Sequence, residues 1–294
     1  MKPFSLRRWR HRLQEPRFVA PIGNARTQVR KPVGRRWRRQ ARRGGEVLLV
    51  IVFLGIMVLT IGDQTRVGRD FRRILRLPEG SSGTRAQGCG VPETQIGTVT
   101  TDHVDARRHP SPTAAVVASF GRTNPQGAPQ VFDLVDAALG TDGSVWFKAS
   151  LPVRPNGTVG FIPVNAVQVG QTGYRLKLDR EHFSLSLWHG CKLRRRFRVG
   201  IGVGDTPTPV GKFYLSSLLK PPTPNGVYGD YAYGLSAFSD KLVNWPAGGI
   251  VGLHGTNDPS SIGRRSSHGC IRMNNKDIDY LVKLLPLGTP IAIS

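Results

Sequence analysis

The pattern of apolar and polar positions divides this 294-residue chain into stretches with different periods. "VLLVIVFLGIMVLTIG", residues 47–62, is free of charge and has no amphipathic break, and Glu46 and Asp63 bound it. As a helix it rises about 24 Å, a little under the ~30 Å hydrocarbon core of a bilayer. Gly44, Gly45 and the flanking residues can complete the span. From about 95 to 170, short apolar runs are separated by turn residues: "IGTVTTDHVDARR", "AAVVASF", "QVFDLVD", "SVWFKASL" and "GTVGFIPVNAVQV". No helical period of useful length occurs there, which predicts a small all-β domain. Beyond 171, "YRLKLD", "HFSLSLW" and "RRFRVGIGV" alternate as strands, and a tight turn around His189-Gly190 joins the last two as a hairpin. "TPTPVGKFYLSS" gives a turn and a strand, "GGIVGLHG" a short strand ending at His254, and "TPIAIS" a last strand. Only "NNKDIDYLVKLLPLG" carries a helical period, with Asn274 or Asn275 as cap and Ile278, Leu281, Val282 and Leu285 on one face. The predicted fold class is mainly β, with one clear helix after the N-terminal transmembrane helix.

Charge changes the picture only at the N-terminus. The formal net charge of +23 suits a nucleic-acid binder, but its distribution argues against one. Residues 1–45 hold 15 Lys and Arg against one acid, Glu15, whereas residues 86–294 hold 21 basic and 14 acidic residues, a net of +7. The excess is therefore an arm, read apart from the fold, and no nucleic acid is expected as a partner. Six basic residues follow the apolar run within 63–85, against fifteen before it. Positive charge stays in the cytoplasm, so the expectation is a single-pass cell-membrane protein with a cytoplasmic N-terminus and an extracytoplasmic C-terminal part. A buried core helix fits poorly between Arg-rich flanks. A cleaved signal peptide would need a shorter basic region and a better site than Thr60-Ile61-Gly62, and Arg7-Arg8 lies too far upstream for a twin-Arg signal. The organisation read is a basic cytoplasmic arm at 1–45, a transmembrane signal anchor at 46–62, a Gly/Ser-rich linker at 63–94, a β domain at 95–170 and a second unit at 171–294.

Candidate chemistry lies in the second unit. The glycines of "VGIGVGD", Gly200, Gly202 and Gly204, do not make a dinucleotide fingerprint, because Asp205 stands where the third glycine belongs and no helix follows. The triplet His-Gly-Cys occurs twice, at 189–191 and 268–270. The first copy lies in the predicted hairpin turn and is followed by Lys192 and Arg194–Arg196. The second follows Ser266-Ser267, precedes "IRMNN", and stands 14 residues after His254 in "GLHGTN". A cysteine nucleophile needs a base or positive field, backbone donors for an oxyanion, and room for substrate. His254 or His268 meets the first need, and Gly269 exposes the N–H of Cys270. In an extended segment residues two apart share a face, so His268 lies beside Cys270 or orients another group. Zinc held by His254, His268, Cys270 and Asp258 is the plain alternative, but structural zinc favours short pairs two to four residues apart, and His-x-Cys is unusual.

"LHGTNDPSSIGRRSSHGCIRMNN" resembles the signature of the L,D-transpeptidase catalytic domain, the YkuD family, and "VGIGVGDTPTPVGKFYL" resembles that family's strand–TPxG–strand segment. The resemblance covers about 171–294 and implies a β-sandwich-like catalytic domain. Family patterns often have Asn two positions after the cysteine, where this chain has Arg272. The resemblance implies Cys270 as nucleophile, His254 as general base and acid, and Ser267 and His268 as orienting and polarising groups. It implies an oxyanion hole from N–H groups near Gly269 and Cys270, with Arg272 and Gly255 as substrate contacts. The implied reaction takes a peptidoglycan tetrapeptide stem as donor, releases D-Ala and forms a cross-link, with no cofactor and no metal. Hydrolysis of the same acyl-enzyme, or a non-catalytic wall-binding protein, are the alternatives. The 95–170 stretch more loosely resembles bacterial SH3-like barrels, which implies either a cell-wall ligand or a spacer. The compartment suggests one further feature. Outside the membrane thiols tend to oxidise, and Cys270 must stay free, so a disulfide between Cys89 and Cys191 is the natural pairing, with two independent thiols as the plain alternative.

Overall fold

The computed structural model describes residues 93–294, apart from positions 224 and 245. The basic arm, the apolar run and Cys89 lie outside the described residues. No helix among the described residues is long and apolar enough to cross a membrane. The described chain is mainly β, as its alternating runs predict.

The first sheet contains β1 (Thr94–Val99), β2 (His103–Arg107), β3 (Val116–Gly121), β4 (Val131–Leu139), β5 (Val145–Ser150), β6 (Val159–Pro163) and β7 (Val167–Thr172). Its order is β3-β2-β6-β5-β4-β1-β7, and every pairing is antiparallel. Burial alternates in β2, with Val104 and Ala106 inside, and in β6, with Gly160 and Ile162 inside, whereas β5 buries the adjacent Trp146 and Phe147 together with Ala149.

The second sheet follows. Its strands are β8 (Tyr174–Asp179), β9 (Ser184–His189), β10 (Lys192–Arg198), then after a short β11 (Ile201–Gly202), β12 (Gly211–Leu219), β13 (Ala232–Phe238) and β14 (Ile250–His254). A short β15 (Arg265–Ser267) precedes β16 (Ile271–Arg272), helix α1 (Asn275–Val282) and β17 (Pro290–Ile293). The eight-stranded order is β10-β9-β8-β17-β12-β13-β14-β16, and β11 pairs with β15 in a separate parallel ladder. The C-terminal strand β17 enters the middle of the sheet, parallel to β8 and antiparallel to β12.

Helix α1 is shorter than its apolar period. Pro286 disfavours helix at the residue before it, and the helix stops at Val282 with Lys283 as C-cap. Asn274 occupies the N-cap without a side-chain capping bond, its Nδ2 donating to Asp277 Oδ2 at 3.5 Å, while the Asn275 side chain accepts from the Thr256 N–H at 2.8 Å. Ile278 and Leu281 are fully buried, and truncating either to Ala costs about 2–5 kcal/mol.

Strands β12 and β13 are buried on both faces. Phe213, Leu215, Tyr233 and Leu235 enter the core of the second sheet. Tyr214 packs with Ile96 and Val131 of the first sheet and donates to the Val131 carbonyl at 3.1 Å. Asn124 donates to the Ser216 carbonyl across the same seam at 3.0 Å. This two-sided burial is why "KFYLSS" lacks a clean alternation.

β9 and β10 form the predicted hairpin. His189 faces Lys192 across a two-residue turn, and Gly190 takes a φ of +56° there. His189 stacks on Tyr174 with ring centroids 4.4 Å apart. Cys191 is disulfide-bonded, whereas Cys270 is a free thiol. The outer strand β10 exposes Lys192, Arg194, Arg195, Arg196 and Arg198, and like charge on an edge discourages a second chain from pairing there.

Asp133 of β4 is half-buried, and desolvation pushes its carboxyl up from 3.8 to about 6, with the Lys212 ammonium pulling the other way. An acid that holds its proton more tightly when folded stabilises most below its unfolded value, and that contribution is lost as pH rises through about 6. Asp133→Asn removes the titration. Thermal unfolding is expected to show a larger gain in Tm over the parent at pH 8 than at pH 4.

Candidate active site

Two neighbouring strands bring the candidate residues together. β14 runs parallel to β16, with Leu253 facing Ile271 and His254 facing Arg272. His254 ends the first strand and Cys270 immediately precedes the second. A Cβ at Gly252 would lie 3.3 Å from His254 Cδ2 and 3.6 Å from Cys270 Sγ. Imidazole and thiol thus flank the bare Cα of Gly252, whose N–H donates to Sγ at 3.3 Å. The missing side chain at Gly252 is what leaves space between them.

The protonation of this pair follows from its surroundings. His254 is 3% exposed, and Nδ1 donates to the Gly255 carbonyl at 2.6 Å. A carbonyl can only accept, so the proton sits on Nδ1 and Nε2 carries the lone pair. Burial brings His254 down to about 4, against the pull of the Gly255 carbonyl, and the Arg272 charge lowers it further. Burial pushes the Cys270 thiol up, while the Gly252 N–H and Arg272 oppose that shift. The resting pair is therefore a neutral thiol beside a neutral imidazole, not a preformed ion pair. Tyr228 meets the imidazole edge-on, with ring centroids 5.0 Å apart and planes at 73°.

The loop that carries the thiol is fastened at several points. Ser267, 2% exposed, donates to the Cys270 carbonyl at 2.5 Å and accepts from the Gly269 N–H at 3.2 Å. Thr208 donates to the Gly269 carbonyl at 2.8 Å while accepting from Gly202 N–H at 2.9 Å. The "TPTPVG" turn and the "SSHGC" loop, some 60 residues apart, are thereby one assembly. Gly269 has a φ of +117°, which side chains rarely adopt. That turn breaks the extended run, so Cys270 is partly buried while His268 stands exposed on the rim.

An open cavity of about 120 Å³ lies over the pair, with Tyr228, Ser239, Gly249, His268, Cys270 and Arg272 among its walls. Arg272 Nε is buried and without a hydrogen-bond partner. Gly255 lies outside the cavity wall; its carbonyl orients His254, and a Cβ there would strike the Asn275 side chain at 2.2 Å. Asp258, weighed as a zinc ligand, accepts from both the N–H and the hydroxyl of Ser260. Among the described residues no group of three His, Cys, Asp or Glu side chains is arranged to hold a metal ion. Thr208 escaped sequence reasoning, and so did the bond that Asn275, a candidate helix cap, makes to Thr256. For Thr208 the available signal was its place in the TPxG segment.

Residues 173–293 match the L,D-transpeptidase catalytic domain, the YkuD family. The YkuD protein of Bacillus licheniformis, whose name assigns it to the L,D-transpeptidases, is 34% identical over 121 residues, 41% of this chain and 66% of that protein. Its namesake in Bacillus subtilis is 34% identical over 111 residues, 38% of this chain and 60% of that protein. The chain thus spans just under two thirds of the length of these two relatives. A solved L,D-transpeptidase from Mycobacterium smegmatis aligns at 14% identity with a TM-score of 0.34, over 55% of this chain and 99% of that one. The matched residues include both His254 and Cys270 of the transpeptidase-like domain.

The buried neutral thiol gives a direct test. Iodoacetamide labelling of Cys270 is expected to be slow at pH 7, with a rate still climbing at pH 9, the ordinary thiol value. Arg272→Ala removes a charge that favours the thiolate, so it should move the profile to higher pH. Peptide mass spectrometry after timed labelling reads both.

Proposed function

We propose that this chain is a cysteine-dependent peptidoglycan L,D-transpeptidase. The observation that carries the reading is the buried Cys270–His254 pair, with the imidazole tautomer fixed by Gly255, opening onto a cavity. His254 Nε2 takes the proton from Cys270 Sγ as the sulfur attacks the carbonyl of the stem's third residue. The resulting oxyanion is held by the N–H of Cys270, since the Gly269 N–H is engaged by Ser267. The intermediate collapses with loss of D-Ala, whose nitrogen takes the proton from His254, leaving a thioester on Cys270. The side-chain amine of a second stem then attacks the thioester, gives its proton to His254 and releases the thiol, forming a 3→3 cross-link.

Other side chains take supporting parts. Arg272, with its unpartnered buried Nε, suits a stem carboxylate or carbonyl. Ser267 fixes the backbone around the nucleophile, and His268 stands at the rim where substrate enters. Burial brings His254 down to about 4, so it is mostly neutral above that pH and acylation persists into mildly acid solution.

The chain's remainder belongs to the same proposal. Residues 46–62 anchor it in the cell membrane, the basic arm stays in the cytoplasm, and the catalytic part works outside, where its substrate is. The disulfide at Cys191 supports an oxidising compartment, and we assign Cys89 as its partner. The first sheet is proposed as an SH3-like module.

Purified full-length protein incubated with disaccharide-tetrapeptide is expected to release D-Ala and yield cross-linked dimer by mass. Cys270→Ala abolishes both products, whereas Cys191→Ala leaves turnover nearly intact. His254→Ala lowers acylation by at least ~100-fold, the scale of a lost general base. Tripeptide without dimer would assign hydrolysis instead. Equal loss in well-folded Cys270 and Cys191 variants would sink the assignment.

A further inference from the structure

One wall of the cavity is held from outside the transpeptidase-like domain. The connection that leaves β13 and returns to β14 contributes Ser239, Leu242 and Gly249 to the cavity that contains Cys270 and His254. Its ends meet, with the Ser239 N–H donating to the Gly249 carbonyl at 2.8 Å. Gly248 and Gly249 both take positive φ, +67° and +73°, as the chain turns back. Ser239 Oγ also accepts from the N–H groups of Lys241 and Leu242, at 3.3 and 3.2 Å.

The turn between β5 and β6 of the first sheet supplies the rest. Arg154 Nη1 donates to the Ser239 carbonyl at 2.8 Å, and Nη2 donates to the Gly248 carbonyl at 2.9 Å. One planar guanidinium therefore spans both ends of the cavity segment, with its carbon 5.0 Å from the centroid of the Phe238 ring. Asn156 behaves as a strand partner. Its Nδ2 donates to the Phe238 carbonyl at 2.7 Å, and its Oδ1 accepts from the Phe238 N–H at 2.9 Å. Bonds from a charged guanidinium to carbonyls are stronger than neutral ones, and its fixed fork is a geometry that Lys lacks. The Tyr214 and Asn124 bonds seat the first sheet on β12, so the turn is presented from a fixed base.

We propose that Arg154 and Asn156 are positioning residues of the active site, which hold the Ser239–Gly249 wall at the distance from Cys270 that a stem peptide requires. Neither touches the thiol or the imidazole. On this assignment the first sheet acts on substrate binding through a wall it does not itself form. The inference rests on the stem-peptide reading for its substrate, but the clamp itself does not.

The test uses full-length protein as wild type, Arg154→Ala, Arg154→Lys and Asn156→Ala, each confirmed as folded by its thermal transition. Amide exchange is followed by mass spectrometry, and steady-state release of D-Ala from disaccharide-tetrapeptide is measured in parallel. Both Ala variants are expected to speed exchange in peptides around Ser239 and Gly249, leaving β8 and β9 unchanged. KM for the stem should rise about tenfold, the scale of one or two lost hydrogen bonds, with kcat within about threefold. Arg154→Lys, able to reach one carbonyl at a time, should fall between. Iodoacetamide labelling of Cys270 should stay within about twofold, since Gly252, His254 and Arg272 are untouched. Unchanged exchange in both Ala variants overturns the clamp. Faster exchange with an unchanged KM overturns its role in binding, and equal falls in kcat and in Cys270 labelling reduce it to general structural support. If wild type turns over no stem peptide, the transpeptidase reading falls and exchange alone decides the clamp.

Discussion

The parallel ladder between β14 and β16 is the constraint on which the site depends. It holds only two residue pairs, Leu253 with Ile271 and His254 with Arg272. That register sets the His254 imidazole at the end of one strand against the Cys270 thiol at the start of the next. Both strands belong to the far end of the eight-stranded sheet, and on its other side Arg272 exchanges backbone hydrogen bonds with Gly200, each at 2.8 Å. The buried apolar partners, Leu253 and Ile271, are each fully enclosed in the core. A slip of one residue would turn those side chains out of the core and the polar ones in. The hydrophobic interior therefore fixes the register, and the register fixes the chemistry.

Much of this was legible in the sequence because it depends on local pattern. "YRLKLD" is β8 residue for residue, and the first His-Gly-Cys copy is a hairpin turn, as its flanking alternation implies. The two copies separate for a physical reason: one is closed by a tight turn and a disulfide, the other by hydroxyls that bond to backbone. The helix is shorter than its pattern because apolar spacing continues to Leu285 while the helical backbone ends at Val282, ahead of Pro286. Leu285 still reaches the core, so its side chain obeys the pattern after the helix has stopped.

What escaped the sequence is long-range and polar. Thr208, Asn275, Arg154 and Asn156 act through backbone groups 19 to 94 positions away, and a backbone carbonyl leaves no trace in a sequence. The insertion of β17 between β8 and β12 is equally invisible, since no local period encodes which strands become neighbours. The face of β12 that meets the first sheet shows as a broken alternation at Tyr214 and Ser216, which reads as noise until the covering sheet is seen. The relation between the two sheets was also hidden: Asn124, Tyr214 and the Arg154 turn join them by specific bonds.

Burial of Cys270 also governs how its sulfur meets small reagents. Peroxides and stray electrophiles attack thiolates, and a thiol that keeps its proton is a poor target for them. With its acidity suppressed by desolvation and its base neutral, the resting sulfur is chemically quiet. The burial that keeps the sulfur protonated at rest also makes it durable.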